Sequence, residues 1–538
     1  MPEETRDKKE RKLEDRKSEL SDKIIKWFRN PYNSILFAIL LFAVAIRLFY
    51  FFQFSEQPIW WDEAEYMLKA KSIALNFPSS WHDYWSPRKP ILLAWIFVPF
   101  FKLGLSEAIM RFGLILLSIA GVYATYLVSK EFFDKKVALI ATALMSFFWV
   151  HLFFSIRFLV EMPATPFFLL SLYFFSKGYI KKEGSKYIWL FGVFFALGFL
   201  IRVSYGIFLL PFLIYLLLED KLKIFLNKDL WIAVFFAFLV VLPFFIWLSQ
   251  AFPQDPIGRF IGAKYGRFSF GVAHGSMGWS GVPLYFADLI NVMKLPFLIL
   301  MIIGFIIVFA DLFLGLDLIF KKEYKQLRIK ILILTWILFA LVVFGLTRSY
   351  VEQRDNLPIA VFFFSFVGVA LVKLQEFIGK YNKIVAIIAV LLLIVIGAIP
   401  QIKEGYTLTQ YKSTSYLPVK EAALWIKENS NKDDSVYTMS TVQNMYYSER
   451  RTISFSGMNK SEFTTLIVKD KPRYLVNSIF EPYWLNPTFD VNQWLSTHQD
   501  FVMPVNAWFA DAEKKQPVLV IYELNWNNYE LLNESIQE

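Results

Sequence analysis

The stretch "YIWLFGVFFALGFLIRVSYGIFLLPFLIYLLL", residues 187–218, is apolar throughout apart from Arg202. A helix of about 20 apolar residues crosses a bilayer core, so the stretch is too long for one simple crossing and short for two. An arginine is costly at mid-bilayer and cheap near the surface. We therefore read a helical hairpin whose tip, near Arg202, lies just under one face of the membrane. Read instead as a single tilted helix, the stretch would move every later basic loop to the opposite side.

Similar apolar spans flank the hairpin, near 33–53, 107–129, 136–156, 163–178, 230–250, 294–316, 328–347, 358–377 and 383–401. With 187–201 and 203–219 they make about 11 transmembrane helices, in a chain of 538 residues that is 56% hydrophobic with a mean hydropathy of +0.44. The fold class expected is an all-α polytopic membrane domain. The loops "KEFFDKK", "KGYIKKEGSK", "KLKIFLNK", "KKEYKQLRIK" and "KLQEFIGKYNK" fall on one side, which the positive-inside rule makes cytoplasmic together with the N-terminus. The C-terminus is then outside, in a multi-pass protein of the plasma membrane.

The net charge of +10 has the same origin. Residues 1–30, a charged cytoplasmic segment without the apolar region of a signal peptide, hold ten Lys/Arg against eight Asp/Glu; residues 402–538 hold thirteen against seventeen. The excess sits in short loops, so no nucleic-acid partner is expected. There are no cysteines, which excludes disulfides and thiol catalysis. His82, His151, His274 and His498 lack metal-ligand spacing, so no metal site is assigned; a divalent ion shared by His82, Asp83 and His274 is not favoured.

Within the membrane region 31–401, two outside loops are substantial. The first, 54–106, ends in "ILLAWIFVPFFKLG", an interfacial helix or a further crossing. The second, 251–293, is rich in glycine and aromatic residues and reads as a loop over a site. Residues 402–538 read as a soluble α/β domain outside the cytoplasm. "YLPVKEAALWIKENS" and "KSEFTTLIVKD" are helical, and "SVYTMS", "PRYLVNSIF" and "PVLVIYEL" are strands. No phosphate-binding glycine fingerprint precedes these helices.

This topology gathers unusual charges on the outer side. "WWDEAEYMLKA" (60–70) carries Asp62, Glu63 and Glu65, and "RKP" carries Lys89. "SIRFLVEMPATPF" carries Arg157 and Glu161, and "RSYVEQRDNLP" carries Arg348, Glu352, Arg354 and Asp355. A carboxylate can take a proton from a hydroxyl and cations can stabilise a departing phosphate. Each also has a plainer reading: Asp62 as a solvated loop acid or helix cap, Glu161 as a cap, Arg202 as a snorkelling side chain, Arg157 and Arg354 as interfacial anchors.

"WWDEAEYMLKAKSIA", "RKPILLAWIFVPFFKLG", "SEAIMRF" and "RFLVEMPATPFFLLSLYFF", in this order, resemble the aminoarabinose-transferase and protein O-mannosyltransferase group of polyprenyl-phosphate-sugar glycosyltransferases, of the GT-C fold class. The resemblance implies that Asp62 is the catalytic base with Glu63 beside it. It implies that Tyr66 is an aromatic residue of the same motif, that Lys89 lies near the donor phosphate, and that Arg202 is the basic residue after an apolar run. Glu161 stands where a second acid, usually aspartate, is found, and is expected to orient the acceptor or share the base role. "QRDNLP" matches an Arg-Tyr-x-x-Pro stretch with Asp355 in place of tyrosine, which makes Arg354 a phosphate contact.

The expected function is transfer of a sugar from a polyprenyl-phosphate donor to a protein, lipid or glycan acceptor at the outer face, by inverting displacement. An oligosaccharyltransferase is disfavoured because the tail lacks "WWDYG". A lipid or sugar transporter is disfavoured because no related halves or midplane polar groups are apparent.

Overall fold

A computed structural model describes residues 22–23, 25–78, 81, 91–251, 253–254, 278–314, 325–348, 350–481, 486–511 and 513–528. Lys89, His82, Asp83, His274 and most of the segments 1–30 and 251–293 lie outside the described residues.

The chain opens with helices α1 (Pro31–Phe54), α2 (Trp61–Leu75), α3 (Leu92–Lys102), α4 (Glu107–Phe132), α5 (Lys135–Phe147) and α6 (Trp149–Phe154). It continues through α7 (Glu161–Phe175), α8 (Ser185–Ile201), α9 (Leu209–Asp220), α10 (Lys228–Ala251), α11 (Gly281–Ala287) and α12 (Leu289–Leu314). Helices α13 (Lys325–Thr347), α14 (Ala360–Gly379) and α15 (Lys383–Lys412) complete the apolar region. The remainder is α16 (Leu417–Glu428), β1 (Ser435–Thr438), α17 (Thr441–Ser448), β2 (Arg451–Ile453), α18 (Lys460–Asp470), β3 (Tyr474–Ser478), α19 (Val491–Thr497), β4 (Val502–Phe509) and β5 (Pro517–Leu524).

Every expected span falls on helix where it is described. Eight helical segments among the described residues are long and apolar enough to cross a membrane. The spans 136–156, 163–178 and 187–201 fall on shorter pieces: α5 with α6, α7 with a following π turn, and α8. The hairpin reading is matched by a break at Arg202, which is extended (φ −142°, ψ 99°) and leads through a 3-10 turn into α9. Helix α8 packs on α7 and α10, and α9 packs on α13. Helix α3 has 11 residues, about 16 Å at 1.5 Å per residue. That is too short to cross, so the apolar end of the first loop is not a further span.

The described residues divide into two compact units. The larger comprises residues 1–53, 112–156 and 160–407, the smaller residues 54–111, 157–159 and 408–538. The described residues of 54–111 thus fold with the C-terminal domain.

In lipid, a broken helix must have its freed backbone groups satisfied by protein. The larger unit meets this with two buried side chains. Phe148 (φ −59°, ψ 118°) separates α5 from α6, and the Trp149 N–H donates to Gln401 Oε1 at 3.1 Å. Gln401 Nε2 donates to the carbonyls of Val292 (3.1 Å) and Met293 (2.9 Å), beside the break that Lys294 (φ 58°) makes in α12. Arg47, fully buried, donates to the Ser146 carbonyl (3.1 Å) and Ser118 Oγ (2.7 Å), and lies 2.8 Å from His151 Nδ1. His151 is therefore part of the helix packing.

The smaller unit holds a five-stranded sheet in the order β2-β1-β3-β5-β4. Strands β2, β1 and β3 are parallel, and β5 is antiparallel to both neighbours. Alternation along β1 sends Tyr437 to a core with Phe463, Ile467 and Trp494, and Val436 to a second core with Val419, Ala422 and Ile426. All five elements read from the sequence of this domain are present. Helix α17, strands β2 and β4, and helix α19 were not anticipated. Helix α17 is only eight residues long, too short for a helical period to stand out in the sequence. Strand β4 contains Pro504, which is tolerated because the strand is at the sheet edge.

Candidate functional site

In the smaller unit, "WWDEAEY" starts α2. Trp60 is the N-cap residue, and its N–H donates to Glu63 Oε2 at 2.8 Å, half of a capping box. The same carboxylate takes the Phe158 N–H on Oε1 (2.7 Å) and Arg157 Nη1 on Oε2 (3.2 Å). The Arg157 guanidinium lies 3.7 Å from the Trp60 ring centroid. Glu63 and Arg157 are both fully buried. Burial pulls Arg157 down to about 10, opposed by the Glu63 charge, so it remains cationic at neutral pH. Buried charges persist where paired and hydrogen-bonded, and Glu63 is so engaged.

Asp62 is the next residue back, in the first turn and only partly buried. Consecutive helical residues point about 100° apart, so one acid can turn inward while its neighbour stays accessible. Tyr66 lies four residues on from Asp62, on the same side of the helix, and is buried. Helix α17 fixes the turn before α2. The Tyr447 hydroxyl accepts the Ile59 N–H at 3.0 Å, and Gln443 Nε2 reaches the Ile59 carbonyl at 3.4 Å. Farther along α2, Lys71 donates to the Tyr446 carbonyl (2.7 Å) and pairs with Glu449 (2.8 Å).

In the larger unit, Glu161, Arg202 and Arg354 come together. Arg202 Nη1 pairs with Glu161 Oε1, and its Nη2 with Asp355 Oδ1 at 2.8 Å. Arg354 Nε lies 3.0 Å from Glu161 Oε1 and pairs also with Glu352. Arg348 Nη1 bridges Asp355 Oδ2 (3.1 Å) and Glu352 Oε1 (3.4 Å). The Tyr285 hydroxyl donates to Asp355 Oδ2 at 2.8 Å. The extended conformation of Arg202 and the 3-10 turn Gln353–Asn356 aim these side chains at one another.

Asp355, Arg348, Glu352 and Tyr285 were not assigned roles from the sequence. The density of charge in "RSYVEQRDNLP" was visible and would have singled out the first three. Tyr285 had no such signal. Among the described residues, no three His, Asp or Glu side chains group as a metal site.

Tyr285 reaches Asp355 because α11 lies directly against the end of α13. A Cβ on Gly281 would fall 2.0 Å from the Arg348 carbonyl oxygen and 2.3 Å from that of Gly345, far inside contact distance. Gly281→Ala must therefore push α11 away. We expect a loss of about 1–3 kcal/mol in stability, the usual cost of overpacking, read as a lower thermal unfolding midpoint in detergent. An unchanged midpoint would contradict this packing.

A family described as "Dolichyl-phosphate-mannose-protein mannosyltransferase" matches residues 88–247. No curated protein matches the chain. Among solved structures, ArnT from Cupriavidus metallidurans bound to undecaprenyl phosphate is similar at a TM-score of 0.63 and 14% identity, covering 89% of this chain and 97% of that one. The Archaeoglobus fulgidus oligosaccharyltransferase in complex with Zn and sulfate is similar at 0.57 and 14%, covering 83% and 68%. The fold is like that of these two glycosyltransferases, as the motif resemblance implied, and residues 88–247 are similar to the mannosyltransferase family.

Proposed function

We propose that this polytopic membrane protein transfers a sugar from a polyprenyl-phosphate carrier to an acceptor hydroxyl at the outer face of the membrane. The observation that carries this is the cluster of Arg202, which is buried, with Arg348 and Arg354, which are largely so. Cations held in a low-dielectric site stabilise the charge that develops on a leaving phosphate far better than solvated ones. Arg202 and Arg354 take that role, with Lys89 as a further phosphate contact. The undecaprenyl phosphate of the ArnT structure is a ligand of this chemistry.

Asp62 is the base. It removes the proton of the acceptor hydroxyl, whose oxygen bonds to the anomeric carbon while the bond from that carbon to the phosphate oxygen breaks, with inversion. Tyr66 contributes an aromatic surface on the same helix. Glu161, engaged by two arginines, keeps them oriented and takes no proton. Glu63 and Arg157 hold the start of α2 and thereby aim Asp62.

The test is direct. Purified protein given undecaprenyl- or dolichyl-phosphate-linked sugar and an acceptor should release free lipid phosphate in step with glycosylated product. Movement of the intact lipid-linked sugar across vesicles, with no bond broken, would instead establish a transporter.

A further inference from the structure

We infer that Glu352 is a displaceable internal counter-ion, which the phosphate of the donor lipid replaces on Arg348 and Arg354; this rests on the phosphate reading of the cluster above. Among the described residues, three guanidiniums (Arg202, Arg348, Arg354) are interlocked with three carboxylates (Glu161, Glu352, Asp355). Formal charge within the network therefore cancels. A neutral network has little attraction for an anion, so binding a phosphate requires a carboxylate to leave.

Only one of the three is placed to do so. The side chains of Glu161 and Asp355 are 2% and 1% exposed, whereas that of Glu352 is 21% exposed. Asp355 is also held by Arg202, Arg348 and the Tyr285 hydroxyl. Glu352 sits in extended backbone (φ −115°, ψ 107°) just before the 3-10 turn, so its side chain can swing out without unwinding a helix. It binds the same two arginines that its departure would open. Arg202 Nε and the Tyr205 hydroxyl, both buried, make no hydrogen bond among the described residues, and the Arg202 guanidinium lies 4.9 Å from the Tyr205 ring centroid. Buried polar atoms are normally satisfied, so this side of the cluster is short of an acceptor such as a phosphate oxygen.

The arrangement has a functional logic. A resident carboxylate shields Arg348 and Arg354 from stray anions in the empty enzyme. It also competes with the lipid phosphate after transfer, which speeds product release.

The experiment compares binding of undecaprenyl phosphate with binding of the uncharged polyprenol, in detergent, to the full chain and to Glu352→Gln and Glu352→Ala. Both variants should bind the phosphate lipid about tenfold more tightly, through slower dissociation, with polyprenol affinity unchanged. Glu161→Gln, which loosens two buried arginines, should weaken phosphate binding. Unchanged or weaker phosphate binding in both Glu352 variants overturns the counter-ion role. Loss of the folded state in both also overturns it, because a group that holds the fold is not displaceable. If the unmodified chain does not prefer the phosphate lipid to the polyprenol, the phosphate reading itself falls.

Discussion

Asp62→Asn is expected to lower turnover by about 10²–10⁴-fold, the range lost with a general base, while leaving the donor KM nearly unchanged. Asparagine has the same shape but cannot accept the acceptor's proton. Asp62 lies in the first turn of α2 and is only partly buried. Loss of its charge forfeits a favourable interaction with the helix dipole of about 0.3–1 kcal/mol, too little to unfold the protein. Release of lipid phosphate from purified protein, with thermal unfolding as a control, measures both quantities. Turnover close to that of the unmodified chain would remove Asp62 from the mechanism.

Glu63→Ala is expected to fail differently. It strands the fully buried Arg157 and frees the N–H groups of Trp60 and Phe158. Removing one partner of a buried ion pair costs about 3–5 kcal/mol, so the thermal unfolding midpoint should drop steeply. Adding Arg157→Met should recover part of the loss, since the uncompensated charge is then gone. Recovery of stability with little recovery of turnover would separate the two neighbouring acids into a support and a base. A Glu63→Ala protein of normal stability would show that the clamp contributes nothing.

The membrane spans and the break at Arg202 were legible because both depend on one-dimensional properties, apolar run length and the cost of a charge inside it. The C-terminal domain was half legible: amphipathic α16 and α18 are long enough to announce themselves, while α17, eight residues long, is too short for its period to stand out. The motif resemblance set Asp62 apart from Glu63, but the full burial of Glu63 was not legible in the sequence. Glu63 is fixed by the chain at 157–158, whose Arg157 side chain and Phe158 N–H both bind it. Asp355 read only as a departure from an expected tyrosine, yet it is the hub that Arg202, Arg348 and Tyr285 share. Such hubs are made by residues far apart in the chain, here 70 and 153 positions, and local pattern carries no trace of them.

Tyr447 and the Ile59 amide it receives are separated by 388 residues. Ribosomes add about 5–20 residues per second, so roughly 20–80 s pass between synthesis of the turn before Asp62 and arrival of the side chain that pins it. The turn before α2 is thus made early and acquires its brace only much later in synthesis.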